Sequence, residues 1–150
     1  MPQSLAKLLV HLVFSTKHRA PLLPGDFYEP LRRYTSGILD ERKCHLVEMN
    51  NVADHVHVLF DLHRTTALSD VVMHVKKGTS RWLKEPTQGF TGFDWQDGYG
   101  AFSLGYSQKD AVVEYIRSQQ SHHAQVAFQD EFRALLVRYE IEYDERYVWD

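Results

Sequence analysis

Asp54-His55-Val56-His57-Val58-Leu59-Phe60 sets two imidazoles two residues apart within a run of β-branched and apolar side chains. In a strand, the period of two turns His55 and His57 to one face and Val56, Val58 and Phe60 to the other. Two rings that close can grip one divalent cation through neutral imidazole nitrogens and leave positions open for an oxygen ligand such as a phosphate. The pair therefore points to metal-assisted chemistry on a phosphoester. Histidines in a strand are also ordinary half-buried polar residues, so the spacing alone keeps both readings open.

Upstream of this strand, Cys44 to Val52 reads as another, joined to it by a short connection as an antiparallel hairpin. Earlier still, Leu8-Leu9-Val10-His11-Leu12-Val13-Phe14 is apolar on both alternating faces, which fits a central strand covered on both sides. Its exit, Ser15-Thr16-Lys17-His18-Arg19, is polar and basic. Pro24-Gly25-Asp26 marks a turn and helix start, and Phe27, Leu31, Tyr34 and Ile38 recur at helical spacing to about Arg42.

Downstream, a helix is expected from Leu68 through Val71, Val72 and Val75 to Trp82-Leu83, stopping before Pro86. Lys77, Arg81 and Lys84 stack on one face of it, either as a solvated surface or as a nucleic-acid contact. Gln96-Asp97-Gly98 is expected as a hairpin turn and Phe102-Ser103-Leu104-Gly105-Tyr106 as the last strand. Ser107 is expected to cap a third helix with Asp110 three residues on. Val112, Val113, Ile116, Ala124 and Ala127 share its buried sector, and Tyr115, Gln119 and His122 occupy the flank beside it. A final helix from about Phe128 to Tyr139 leads into an acidic, aromatic tail.

The order strand, helix, strand, strand, helix, strand, helix is the split βαβ pattern of an α+β, ferredoxin-like (RRM-like) domain. It predicts an antiparallel four-stranded sheet with helices on its faces, the first and third strands at the centre, and a C-terminal helix carrying Tyr115. The 150 residues are expected to form one domain, 1–150. Cys44 is the single cysteine, which excludes an internal disulfide framework and a cysteine-rich zinc site. No stretch has a signal-peptide layout or membrane-spanning length, so a cytoplasmic location is expected. The net charge of −3 argues against a uniformly basic nucleic-acid binder. Residues 1–90, however, hold 12 Lys and Arg against 9 Asp and Glu, so a local positive patch can exist there.

A helix after the fourth strand can bring Tyr115 and Gln119 to the histidine face. Gln119 can then supply a carbonyl oxygen as third ligand, while the Tyr115 phenol attacks a phosphorus polarised by the ion. On these residues the chain resembles the IS200/IS605-type transposases, single-tyrosine members of the His-hydrophobic-His endonucleases. The match comprises His55-Val56-His57, Tyr115-Ile116-Arg117-Ser118-Gln119, His122-His123 and Trp95-Gln96-Asp97-Gly98-Tyr99-Gly100-Ala101-Phe102-Ser103. The last segment is also similar to the related tyrosine transposases that act on chromosomal repeat hairpins and can be monomeric.

The resemblance implies a ferredoxin-like fold, Mg²⁺ or Mn²⁺ at His55, His57 and Gln119, and Tyr115 as the nucleophile on single-stranded DNA with hairpin ends. It further implies a 5′-phosphotyrosine intermediate, strand rejoining, and a homodimer with shared active sites. Phosphate contacts are expected from Lys17, Arg19, Lys77, Arg81 and Lys84. Three rival readings stand beside it: a metal-dependent hydrolase using water in place of Tyr115, a repeat-hairpin-processing relative no longer mobile, and a non-catalytic module of ferredoxin-like fold binding single-stranded nucleic acid. The module would need aromatics on an open sheet face.

Overall fold

The computed structural model describes residues 2–122 and 126–150, and of Asp26 and His122 the backbone alone. Four strands, β1 (Leu9–Ser15), β2 (His45–Asn51), β3 (His55–Asp61) and β4 (Gly100–Ser103), form one antiparallel sheet in the order β2-β3-β1-β4. The expected ferredoxin-like arrangement is present, with β1 and β3 adjacent at the centre.

Helices α1 (Tyr28–Glu41) and α2 (Leu68–Leu83) cover one face. Leu31 and Leu39 of α1 and Val71, Val72, Val75 and Leu83 of α2 pack there on Leu12, Phe14, Val56, Val58 and Phe60. The two helices approach closely at Gly78, where an added Cβ would lie 2.7 Å from the end of Ile38. Tyr34, expected on the buried stripe, is exposed and stacks on Trp82 at 4.8 Å, while Leu31, Thr35 and Leu39 form the buried line.

The other face carries both histidines, as the alternation requires, and it too is covered. Pairing places Val13 opposite His57, His11 opposite Leu59, and Asn50 opposite His57 on the far side. Helix α3 (Lys109–Arg117) lays Ile116 on Leu9 and Leu59. Helix α5 (Phe128–Arg138) sets Phe128, Phe132 and Leu136 against Val13 and Phe102. Gly100 is what admits α5: a Cβ there would lie 2.8 Å from Phe132. Trp149 of the tail packs on Phe128 and Phe132 behind it.

Three local expectations are corrected. Gln96-Asp97-Gly98 is not a hairpin turn, because Trp95 bridges Thr16 and β4 pairs with β1 along the same edge. The segment instead bulges between them, its three carbonyls accepting from the Lys76 ammonium at 2.5, 2.9 and 2.9 Å. The last strand ends at Ser103 rather than Tyr106, and Ser107 caps nothing. A 3₁₀ turn, Tyr106–Gln108, precedes α3, and the Gln108 side chain accepts from the Gly105 amide at 3.1 Å.

The third helix is also not continuous, so Ala127 does not belong to it. It stops at Arg117, and a four-residue helix, α4 (Gln119–His122), follows Ser118. The Asn50 amide of β2 donates to the carbonyls of Ile116 and Arg117 at 3.0 and 3.3 Å, taking up acceptors at the end of α3. Ala124 and His123, and the side chain of His122, lie outside the described residues.

Candidate metal and tyrosine site

β3 delivers His55 and His57 to the covered face with ring centroids 5.2 Å apart, both fully buried. His55 Nδ1 lies 2.7 Å from Asp54 Oδ1, and His57 Nδ1 lies 2.8 Å from His11 Nε2. The Nε2 atoms of both rings meet one carboxylate oxygen, Glu131 Oε1, at 3.4 Å for His55 and 3.0 Å for His57. Ligand atoms of His55, His57 and Glu131 all fall within 4.8 Å of one another. Neighbouring ligands of a small divalent ion bound at about 2.1 Å in an octahedron stand about 3 Å apart, close to the 3.0 and 3.4 Å between Glu131 and the two imidazoles. A buried carboxylate facing two imidazoles is a donor set that could hold a divalent ion.

Glu131 sits in the first turn of α5 and is itself buried. Its second oxygen, Oε2, accepts from the Tyr115 hydroxyl and, at 3.2 Å, from the Gln119 amide nitrogen. One carboxylate thus spans the histidine pair and the phenol. Gln119 opens α4 immediately after the break in the helix and has no exposed surface. Its amide also donates to the Tyr115 carbonyl at 3.3 Å, while its Oε1 is buried without a protein partner. A buried, unpartnered carbonyl oxygen is costly; as placed, it is the amide nitrogen and not this oxygen that faces Glu131.

The electrostatics follow from this crowding. Burial raises the Tyr115 phenol above its ordinary value, and the Glu131 charge adds to the effect. Burial lowers His55, but its hydrogen bonds to Asp54 and Glu131 outweigh burial and leave it raised. Burial, then the neighbouring His57, pushes His11 down to about 3, so it is neutral. A cleft of about 530 Å³ between α3 and α5 opens onto His11, Tyr115 and Glu131, with Arg138 and Tyr139 also lining it.

His55, His57, Tyr115 and Gln119 therefore converge within one chain, and Glu131 joins them unforeseen. A carboxylate at 131, in step with Phe128, Phe132 and Leu136 on the apolar stripe of its helix, is the signal that would have found it.

Lys77, Arg81 and Lys84 lie elsewhere: they are exposed, the first two on α2 and Lys84 at its C-terminal cap, and α2 covers the opposite face of the sheet. Lys84 is within 3.5 Å of Asp94. Lys77 and Arg81 line a groove of about 750 Å³ between α1 and α2, together with Arg33, Arg42, Tyr34 and Trp82. Lys17 is exposed in a 3₁₀ turn after β1, and the Arg19 guanidinium lies 5.7 Å from the Trp149 ring.

The model of the IS200-like transposases matches residues 4–119. The ISDra2 transposase TnpA of Deinococcus radiodurans is 26% identical over 120 residues, spanning 75% of this chain and 84% of that protein. Two solved structures share the fold. A transposase candidate from Deinococcus radiodurans aligns with a TM-score of 0.58 at 24% identity, over 79% of this chain and 98% of the other. A REP-associated tyrosine transposase bound to a REP hairpin aligns with a TM-score of 0.60 at 16% identity, over 84% and 74%. With more than half of its length matched, and with the histidine pair, Tyr115 and Gln119 inside the matched segment, the chain belongs to the IS200-like transposase family.

Proposed function

We propose that the protein cleaves and rejoins single-stranded DNA through a covalent bond to Tyr115. The observation that carries this reading is the Glu131 carboxylate, with one oxygen at the histidine pair and the other on the Tyr115 hydroxyl. His55, His57 and Glu131, with the Gln119 carbonyl, would hold Mg²⁺ or Mn²⁺. Such an ion, when bound, supplies charge that polarises a phosphodiester. The Tyr115 oxygen attacks the phosphorus, forming a Tyr–O–P bond, and the bond from phosphorus to the 3′ oxygen breaks. The phenolic proton passes to Glu131, and the departing 3′ oxygen takes up a proton to leave as a hydroxyl. The 3′-hydroxyl and the 5′-phosphotyrosine retain what the reverse reaction needs, which is strand joining.

The REP-associated relative is bound to a REP hairpin, and we carry hairpin-bearing DNA to this chain as its substrate. The groove between α1 and α2, with Arg33, Arg42, Lys77 and Arg81, suits the phosphates of such a hairpin, away from the histidine face. Lys17, Arg19 and Lys84 extend the same basic reading. One chain supplies every group the reading needs, and a homodimer with shared sites is the alternative that subunit mixing separates. Among the described residues no helix is long and apolar enough to cross a membrane, and action on DNA in the cytoplasm belongs to this reading. A binding module would need its sheet face open, whereas α3 and α5 pack on the face that carries the histidines.

The test is denaturing electrophoresis of the protein with end-labelled hairpin-bearing single strands and Mn²⁺. A covalent adduct is expected with the wild type, and none with Tyr115→Phe or after chelation of the ion. Cleavage without an adduct would make the protein a hydrolase that uses water, and binding without cleavage would make it a module.

A further inference from the structure

The two histidines are held by unlike partners. Asp54, the residue before the strand, takes His55 Nδ1 with a carboxylate, whereas His57 Nδ1 meets another imidazole, His11 Nε2, at 2.8 Å. His11 is on β1, next to β3 in the sheet, and is 5% exposed. Its ring stacks on His57 with centroids 5.1 Å apart and meets the Tyr115 ring edge-on at 6.2 Å. It thus touches a residue of the ion site and the reacting phenol from beneath both.

We propose that His11 is a positioning residue that fixes the tautomer and orientation of His57, so that His57 presents a bare Nε2 to a divalent cation. This rests on the ion-site reading given above. An imidazole that offers one nitrogen's lone pair must carry its proton on the other. Without a cation, His57 Nε2 stands 3.0 Å from Glu131 Oε1 and can donate to it; with the cation on Nε2 the proton is on Nδ1, so the bond runs from His57 Nδ1–H to the lone pair of His11 Nε2. His11 accordingly keeps its own proton on Nδ1. Ligating histidines ordinarily donate their second N–H to a carboxylate, carbonyl or water. Here one ligand has the anionic acceptor and the other a neutral, stacked one, so the two imidazoles differ in donor strength. The stacking adds an orienting contact that a carboxylate would not, because it fixes the plane of His57 as well as its proton.

The measurement is nitrogen-15 NMR of the histidine rings in the Mg²⁺-loaded wild type, and calorimetric titration of Mn²⁺ into the wild type, His11→Phe and His11→Gln. In the Mg²⁺-loaded wild type His57 is expected to carry its proton on Nδ1, and His11 to carry its own on Nδ1 and accept at Nε2. His11→Phe fills the same space without an acceptor and should bind Mn²⁺ about 10- to 100-fold more weakly. His11→Gln offers an amide oxygen in place of the imidazole lone pair and should recover part of the loss. A His11 proton found on Nε2 in the Mg²⁺-loaded wild type would overturn the proposal whatever becomes of the variants. So would equal Mn²⁺ affinity in the wild type and His11→Phe. A wild type that takes up no Mn²⁺ would instead overturn the ion-site reading beneath it.

Discussion

Glu131 Oε1 lies 3.0 Å from His57 Nε2 while Oε2 of the same carboxylate accepts from the Tyr115 hydroxyl, so a residue of α5 connects the strand histidines to the phenol of α3. Without a cation this arrangement holds Tyr115 protonated, because burial and the Glu131 charge both oppose the phenolate. A positive ion beside Glu131 would oppose that effect.

Glu131→Gln keeps the side-chain volume and removes the charge. Mn²⁺ affinity should fall by at least about tenfold and the DNA adduct should vanish, with hairpin binding retained. Ultraviolet titration of the phenols should show Tyr115 moving down toward the ordinary tyrosine value, since a cause of its elevation is gone. Unchanged Mn²⁺ affinity and an unmoved phenol would remove Glu131 from the site. The double variant His55→Ala, His57→Ala should likewise lose Mn²⁺ binding while its circular dichroism spectrum stays native.

Subunit mixing examines how the site is assembled. Tyr115→Phe combined with the double histidine variant should give no cleavage, because one chain supplies both the histidines and the phenol. Recovery of cleavage in the mixture, with neither variant active alone, would instead reveal a homodimer that shares its sites.

The basic stripe makes a separate claim. Replacing Lys77, Arg81 and Lys84 with glutamine should weaken hairpin binding and flatten the log–log salt dependence by roughly one unit for each phosphate no longer neutralised. Cleavage of a saturating substrate should persist, since the stripe is on the face opposite the histidines. A salt slope equal to that of the wild type would make these residues a solvated surface.

Glu48 predicts an acid-sensitive fold. Burial pushes its carboxyl up, but the Met49 amide and the Arg117 and Arg32 guanidinia more than offset this and hold it below the ordinary glutamate value. A depressed carboxyl stabilises the fold above the unfolded value of about 4.3, and that contribution is lost as pH falls through the lower folded value. Glu48→Gln should therefore cost about 1–3 kcal/mol at neutral pH and progressively less in acid. Urea midpoints across pH 3 to 7 would reveal it, and parallel wild-type and variant curves would contradict it.

Short periods are legible in the chain without its fold. Alternation from His55 to Phe60 places both histidines on one face, and the apolar runs of β1 and β3 mark them as central strands. Tyr115 and Gln119, one turn apart, reach the site together although the helix breaks between them, because Asn50 takes the carbonyls of Ile116 and Arg117. Where a local signal competed with a distant partner, the partner prevailed: the turn chemistry of Gln96-Asp97-Gly98 yields to the Lys76 ammonium, 20 to 22 residues away. The apolar stripe of α5 marks Glu131 as a buried carboxylate, but what it faces follows from long-range packing. It stands 74 residues from His57 in the chain, and it reaches the histidines because Gly100 leaves room for Phe132 to seat α5 on the sheet. His11 belongs to the same class: in the sequence it is one residue of an apolar strand, and β1–β3 pairing turns it into the neighbour of His57.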